Sequence, residues 1–282
     1  YLSLPEWLVE NVALLAKRHR TTPFTIHLTL LLLLLRQHGG GNDQVIAVPV
    51  ANRNHDEASG LVGTLVNTLP FRLNLTSSET YADLLDRTGA EVFEMLENQD
   101  APFELIIDAV NPERTNQHAP LAQVMFDHQE LPLEQLWPDH IVCRPFQAHR
   151  GAAQFDLSLF LTTYGTQQQI GMEFRKDLFR ESTIVAMLDR YIELLTRACA
   201  SPQASVREIS KVSPPDLAVL KSISDGPDRP AYLGTTTLEI ISERASRHPD
   251  RPAIHASGTV LSYGQLEDTS SRIASYLKGQ GI

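Results

Sequence analysis

The side chains able to do chemistry are spread along this chain, and none forms a self-sufficient catalytic pattern. There is no GxSxG around a serine nucleophile, no P-loop or GxGxxG to cradle phosphate, and no pair of CxxC motifs. The 10 histidines are all isolated, never adjacent. Cys143 and Cys199 lack metal-ligand spacing and are open to two readings, one bridge or two core thiols; without a secretory context, two free thiols are expected. No metal site is expected. What remains is a set of polar residues at the ends of apolar runs. Arg53 closes Pro49-Val50-Ala51-Asn52-Arg53, where a guanidinium is either solvated or paired with a carboxylate. Asn67-Thr68 lies in a strand, where such side chains commonly bond to backbone. Gln99-Asp100 and Glu104 follow a helix, positions suited to capping and loop fixing. Asp127-His128-Gln129 ends a strand and Asp156 begins one. A lone histidine near a strand end is either structural or a substrate contact.

The elements that must position these residues are read from periodicity. Leu8, Val12, Leu15 and Ala16 repeat at helical spacing between Pro5 and His19. After Thr21-Thr22-Pro23, with Thr22 as cap, Ile26 to Leu35 is apolar on every side and includes six consecutive leucines. That is half of the roughly 20 residues a membrane-spanning helix needs, so a fully buried helix is expected. Gly39-Gly40-Gly41 ends it. Strands are expected over 45–50, 65–75, 121–129, 155–164 and 169–174, the last two joined by a hairpin at Gly165-Thr166-Gln167. Helices are expected over 80–97 and 181–200. Strands interleaved with helices give an α/β fold, a two-layer mixed sheet with helices. Prolines and turn formers fill about thirty residues after Ser201, the composition of a linker with one short helical stretch. A new pattern starts at Thr235: helix 237–247, strand 253–255, turn Ser257-Gly258 and helix 263–279. This is a short α/β C-terminal extension.

Composition narrows the classes. The chain has 282 residues, 42% hydrophobic and 21% charged, with a formal net charge of −10. Lys and Arg are scattered, which argues against nucleic acid or anionic lipid as partners. The N-terminus carries no initiator Met and no signal-peptide pattern, so the chain is expected to be part of something longer.

Several blocks, in order, resemble the condensation domains of nonribosomal peptide synthetases. Leu61-Val62-Gly63-Thr64-Leu65-Val66-Asn67-Thr68-Leu69-Pro70-Phe71-Arg72 is similar to V-G-x-F-V-N-T-x-x-x-R, with Leu65 in place of the common Phe. Asn98-Gln99-Asp100-Ala101-Pro102-Phe103-Glu104 is similar to H/N-Q-D-x-P-F-E. Pro49 to Arg53, Pro120 to Gln129, Phe155-Asp156-Leu157 and Asp177-Leu178-Phe179 match further blocks. The likeness covers 1–206 and implies one chloramphenicol-acetyltransferase-like lobe, the C-terminal of two. Residues 207–234 are then a linker. Leu261-Ser262-Tyr263-Gly264-Gln265-Leu266 resembles L-S/T-Y-x-E-L, the first motif of adenylation (AMP-binding) domains, with Gln265 for Glu. This assigns 235–282 to a truncated adenylation start.

The resemblance implies amide bond formation between thioesters on carrier proteins, an acyl transfer to an amine. The family's HHxxxDG motif belongs to the other lobe and has no match here, so no catalytic residue is expected within this chain. Arg53 is implied to pair with the Asp of that motif. Asn67, Thr68, Gln99, Asp100, Asp127, His128, Gln129 and Asp156 are implied tunnel or loop residues, Asp156 in a latch to the missing lobe. No cofactor is expected to be held here; phosphopantetheine would arrive on upstream and downstream carrier domains. The missing lobe and the remainder of the adenylation domain are implied partners, with a cytoplasmic location. Rival readings are a non-catalytic carrier-recruiting module, an epimerisation-domain lobe and a free-standing acyltransferase.

Overall fold

A computed structural model describes residues 1–54, 56–112, 119–131, 151–224, 234–256 and 258–281. Cys143, Ser257 and the proline-rich 226–230 stretch lie outside them. The chain divides into two units, Tyr1–Ser213 and Pro214–Ile282.

The first unit is a six-stranded mixed sheet with helices. Its strands are β1 (Leu2–Ser3), β2 (Asp43–Val50), β3 (Asn67–Asn74), β4 (Val124–Glu130), β5 (Leu157–Tyr164) and β6 (Gln167–Phe174), in the order β1-β6-β5-β4-β2-β3. The pairs β2–β4 and β4–β5 are parallel; the remaining pairs are antiparallel. Helices α1 (Glu6–His19), α2 (Pro23–Gln37), α4 (Tyr81–Glu97) and α6 (Glu181–Ala200) enclose the main core with one sheet face, while α3 (Asp56–Ser59) and α5 (Phe103–Val110) lie in the connections. α1 buries Leu8, Val12, Leu15 and Ala16, the stripe its spacing predicts. α2 is buried continuously from Thr25 to Leu34, which is what an apolar surface all round requires. Thr22 caps it by accepting from the Thr25 N–H.

A histidine–tyrosine pair is sealed inside. His27 Nδ1 and the Tyr191 hydroxyl are 2.6 Å apart, and that hydroxyl also donates to the His27 carbonyl at 3.2 Å. His27 Nε2 is buried with no partner, and burial holds its pKa down at about 3.

Several boundaries differ from the sequence reading. β3 begins at Asn67, because Val50 at the end of β2 pairs with Asn67 and leaves Leu65 and Val66 without a ladder partner. The hairpin turn is two residues, with Gly165 at φ 55 and Gln167 already paired with Tyr164. The short helix α7 (Val206–Ile209) buries Val206 and Ile209, and the first unit extends to Ser213. The stretch beyond carries an 11-residue helix, α8 (Pro214–Ser224).

The second unit continues from α8 with α9 (Thr237–Arg247), the hairpin β7 (Pro252–Ala256) and β8 (Thr259–Ser262), and α10 (Tyr263–Gly279). Ser262 and Gln265 form a capping box: the Gln265 side chain accepts from the Ser262 N–H at 3.0 Å. A glutamine supplies the same acceptor oxygen as glutamate there. Gly264 sits at a close approach, where a Cβ would lie 3.2 Å from Pro249. Ala245 is the one buried apolar residue among those described in this unit.

Candidate functional site

The three motif blocks 49–53, 61–72 and 98–104 meet at one end of β2 and β3. Beyond β2 the chain turns at Asn52, which takes a left-handed φ of 51, a conformation asparagine tolerates. Arg53 then folds its guanidinium onto the following loop. Nη1 donates to the carbonyls of Ala58 (2.6 Å) and Leu61 (3.0 Å), and Nη2 donates to that of Gly63 (3.1 Å). Beside the two readings of this guanidinium, solvated or paired with a carboxylate, the structure shows a third: it closes its own loop on backbone carbonyls. Leu61, Val62 and Val66 are left exposed beside it.

Asn67 joins the second block to the third. Its Nδ2 donates to the carbonyls of Gln99 (3.0 Å) and Ala101 (2.8 Å), and its Oδ1 accepts from the Phe103 N–H (3.3 Å). Asn54 Nδ2 donates to Asp100 Oδ1 at 3.3 Å. Gln99 thus takes part through its backbone, and Asp100 through its side chain. The capping role expected of this stretch is also corrected. α5 has Pro102 as its N-cap with no side-chain cap bond, and Asn67 does the fixing from the neighbouring strand. Thr68 stands opposite Pro49 in the ladder.

The Asp127-His128-Gln129 trio does not form one site, because a strand sends alternate side chains to opposite faces. Phe126 is in the main core, and Phe24 lies against both Phe126 (5.1 Å between ring centres) and His128 (6.5 Å, stacked). His128 therefore faces the helices. Its Nε2 lies 3.1 Å from the Thr163 hydroxyl, and burial lowers its pKa against the opposing pull of Glu130. It lines a cavity of about 680 Å³ with His19, Phe24, Val92, Phe93 and Leu96. Asp127 and Gln129 face the other way, linked by a bond from Gln129 Nε2 to Asp127 Oδ2 of 2.6 Å. Burial raises the Asp127 pKa above its ordinary value.

Asp156 lies just before β5, with its carbonyl accepting from the Arg175 N–H (3.1 Å) and its Oδ1 from Arg175 Nη1 (3.2 Å). It ties the two ends of the β5–β6 hairpin together. Among the described residues no group of His, Cys, Asp or Glu is arranged to hold a metal ion. No helix among them is long and apolar enough to cross a membrane. Cys199 is a free thiol, its pKa raised by burial to about 11. α5, β1 and the Arg53 loop closure were not foreseen. The i, i+3, i+4, i+7 spacing of Phe103, Ile106, Ile107 and Val110 is the signal that would have shown α5.

Residues 1–220 match the family model described as the condensation domain. The chain belongs to that family. Among its relatives, phosphinothricin tripeptide synthetase PhsC of Streptomyces viridochromogenes is 32% identical over 285 residues, covering 99% of this chain and 26% of that protein. The isonitrile lipopeptide synthase of Mycobacterium tuberculosis is 29% identical over 285 residues, covering 98% of this chain and 11% of that protein. The chain thus spans a small part of these curated relatives. The solved structure of holo-AB3403, a four-domain nonribosomal peptide synthetase bound to AMP and glycine, superposes with TM-score 0.72 at 21% identity, covering 100% of this chain and 22% of that one. The condensation domain of the monacolin K polyketide synthase MokA gives TM-score 0.67 at 20% identity, covering 73% of this chain and 47% of that one. At these identities the structural likenesses establish the fold, a mixed sheet with helices.

Proposed function

We propose that this chain is the C-terminal lobe of a condensation domain, joined to the first residues of an adenylation domain in a nonribosomal peptide synthetase. The reaction is amide formation, in which an acceptor amine on one carrier protein attacks a donor thioester on another and a thiol leaves. The match of residues 1–220 to the condensation family carries this reading. Chemically the step needs two carrier arms, a positioned amine and a stabilised oxyanion. The catalytic histidine is assigned to the other lobe, since no two histidines are adjacent here. The knot formed by Arg53, Asn67 and the 99–103 loop supplies a rigid wall, with Arg53 at its edge available to the Asp of the histidine motif. Asp156 is assigned to the strap that reaches that lobe. Alignment with PhsC through 99% of the chain, and coverage of the whole chain by the four-domain structure, support the adenylation reading of 235–282.

The test uses purified donor and acceptor carrier proteins loaded with thioesters, with products read by mass spectrometry. This chain alone is expected to form no amide and to catalyse no amino-acid-dependent pyrophosphate exchange. The full-length synthetase is expected to form the amide, and to lose it when the second histidine of its HHxxxDG motif becomes Ala. Turnover by this chain alone, or undiminished turnover by the histidine variant, rejects the assignment. A second reading, a carrier-recruiting module without catalysis, is supported by the fold shared with the teicoplanin X-domain (TM-score 0.64), solved in complex with OxyB. A synthetase that binds loaded carriers yet forms no amide would favour it.

A further inference from the structure

The groups on β4 that face away from the helices are unused by the reading above. Asp127 stands there half-buried, and its bonded neighbour is the neutral Gln129 amide at 2.6 Å. No cation pairs with it among the described residues. In register beside it on β5 is Phe160, and beyond Phe160 on β6 is Gly171. The missing side chain at Gly171 leaves room for the Tyr1 ring: a Cβ there would lie 2.1 Å from it. Ser158, opposite Met125 and so diagonal to Asp127 on the same face, has a buried hydroxyl with no partner. A carboxylate taken partly out of water without a counter-charge costs stability. Aromatic faces and a spare hydroxyl beside it are what a compact cation uses.

We propose that Asp127 receives an ammonium group of the substrate, with Phe160 and Tyr1 as apolar walls and the Ser158 hydroxyl as an additional acceptor. An amine held as ammonium has no free electron pair, so it is not the amine that attacks. The group held here is a second one, on the side chain of a basic aminoacyl residue such as ornithine or lysine. Asp127 is therefore a specificity-determining residue. The choice of an aminoacyl thioester as its bearer rests on the condensation reading; the ammonium itself rests on the geometry.

The probes are ornithinyl-pantetheine amide and norvalinyl-pantetheine amide, which keeps the α-amine and lacks only the side-chain amine, titrated into this chain by calorimetry. The ornithinyl probe is expected to bind at least about tenfold tighter, the preference vanishing in Asp127→Asn and partly returning in Asp127→Glu. In the full-length synthetase, Asp127→Asn should raise KM for the ornithinyl thioester about tenfold with kcat little changed and leave norvalinyl turnover alone. Running ornithine first as acceptor and then as donor shows which arm carries it. Asp127→Asn should melt no lower than the parent, because a neutral amide removes an unpaired charge. Equal binding of the two probes, no binding of either, or a lower melting temperature with selectivity intact overturns the proposal. If the synthetase forms no amide with any substrate, the condensation reading fails while calorimetry on this chain still judges Asp127.

Discussion

Two polar regions of the first unit sit only strands apart and are built on opposite terms. At the end of β2 and β3, Arg53 gives three of its five donors to backbone carbonyls, and Asn67 gives both amide donors to carbonyls and accepts one N–H. On β4, Asp127 has one neutral neighbour. Side chains that saturate themselves on backbone fix the course of loops and leave little for a ligand. A half-buried charge without a counter-charge is a stability cost that folding alone does not explain. The motif that resembles a functional signature thus reads as scaffold, and the less conspicuous strand end as the place where chemistry from outside is met.

That contrast can be broken by substitution. The largest effect is expected at Asn67. Asn67→Asp keeps the acceptor for the Phe103 N–H but sets a carboxylate against the carbonyls of Gln99 and Ala101. It should cost about 3 kcal/mol in urea denaturation, from lost bonds and buried groups left unpaired. A cost below about 1 kcal/mol would show that Asn67 does not hold the loop.

The next effect extends the unsatisfied class into the core. His27 has a folded pKa of about 3, below its unfolded value, so the unfolded chain binds the extra proton between roughly pH 6.5 and 3. Stability contributed by keeping His27 neutral is whole above that range and falls as the pH is lowered through it. Between pH 7 and 4.5 this amounts to about 2–3 kcal/mol, following about 1.4 kcal/mol per pH unit. Denaturant midpoints of the parent and His27→Gln over that range are the measurement. Parallel curves would mean that His27 takes up its proton in the fold.

The smallest effect within this chain is at Arg53, which is only partly buried. Arg53→Ala in this chain should cost about 1 kcal/mol and speed hydrogen exchange over 58–63, with Arg53→Lys intermediate because an ammonium lacks the two-armed fork. If, as proposed, a carboxylate of the other lobe joins these carbonyls in a full-length synthetase, the cost there should rise to about 3–5 kcal/mol and condensation should slow. The same cost in both contexts would confine Arg53 to its own loop.

Much of this was readable before any coordinates. The stripe of Leu8, Val12, Leu15 and Ala16, the all-round apolar α2, its Thr22 cap and the limits of α6 follow from periodicity and local side-chain chemistry. What was not readable depends on partners distant in sequence. That Asn67 bonds to residues more than thirty positions away is a property of the sheet edge, invisible to spacing. The face on which Asp127 falls requires knowing that Phe126 is core, which needs the helix layer. Asn67 also looked mid-strand because Leu65 and Val66 are good strand formers; lacking a partner opposite, they do not join the ladder.

The leucine run of α2 has a consequence for biosynthesis. Its covering partners include β4 to β6 and α6, which end at Ala200. At ordinary translation rates the stretch from Gln37 to Ala200 takes on the order of ten seconds to appear. For that interval the most adhesive segment of the chain is finished while its enclosure does not yet exist. Production of this lobe should therefore depend strongly on holdase chaperones and on synthesis speed. Depleting such chaperones, or slowing codons between 38 and 200, should lower its soluble yield more than polar changes on the outer surface do.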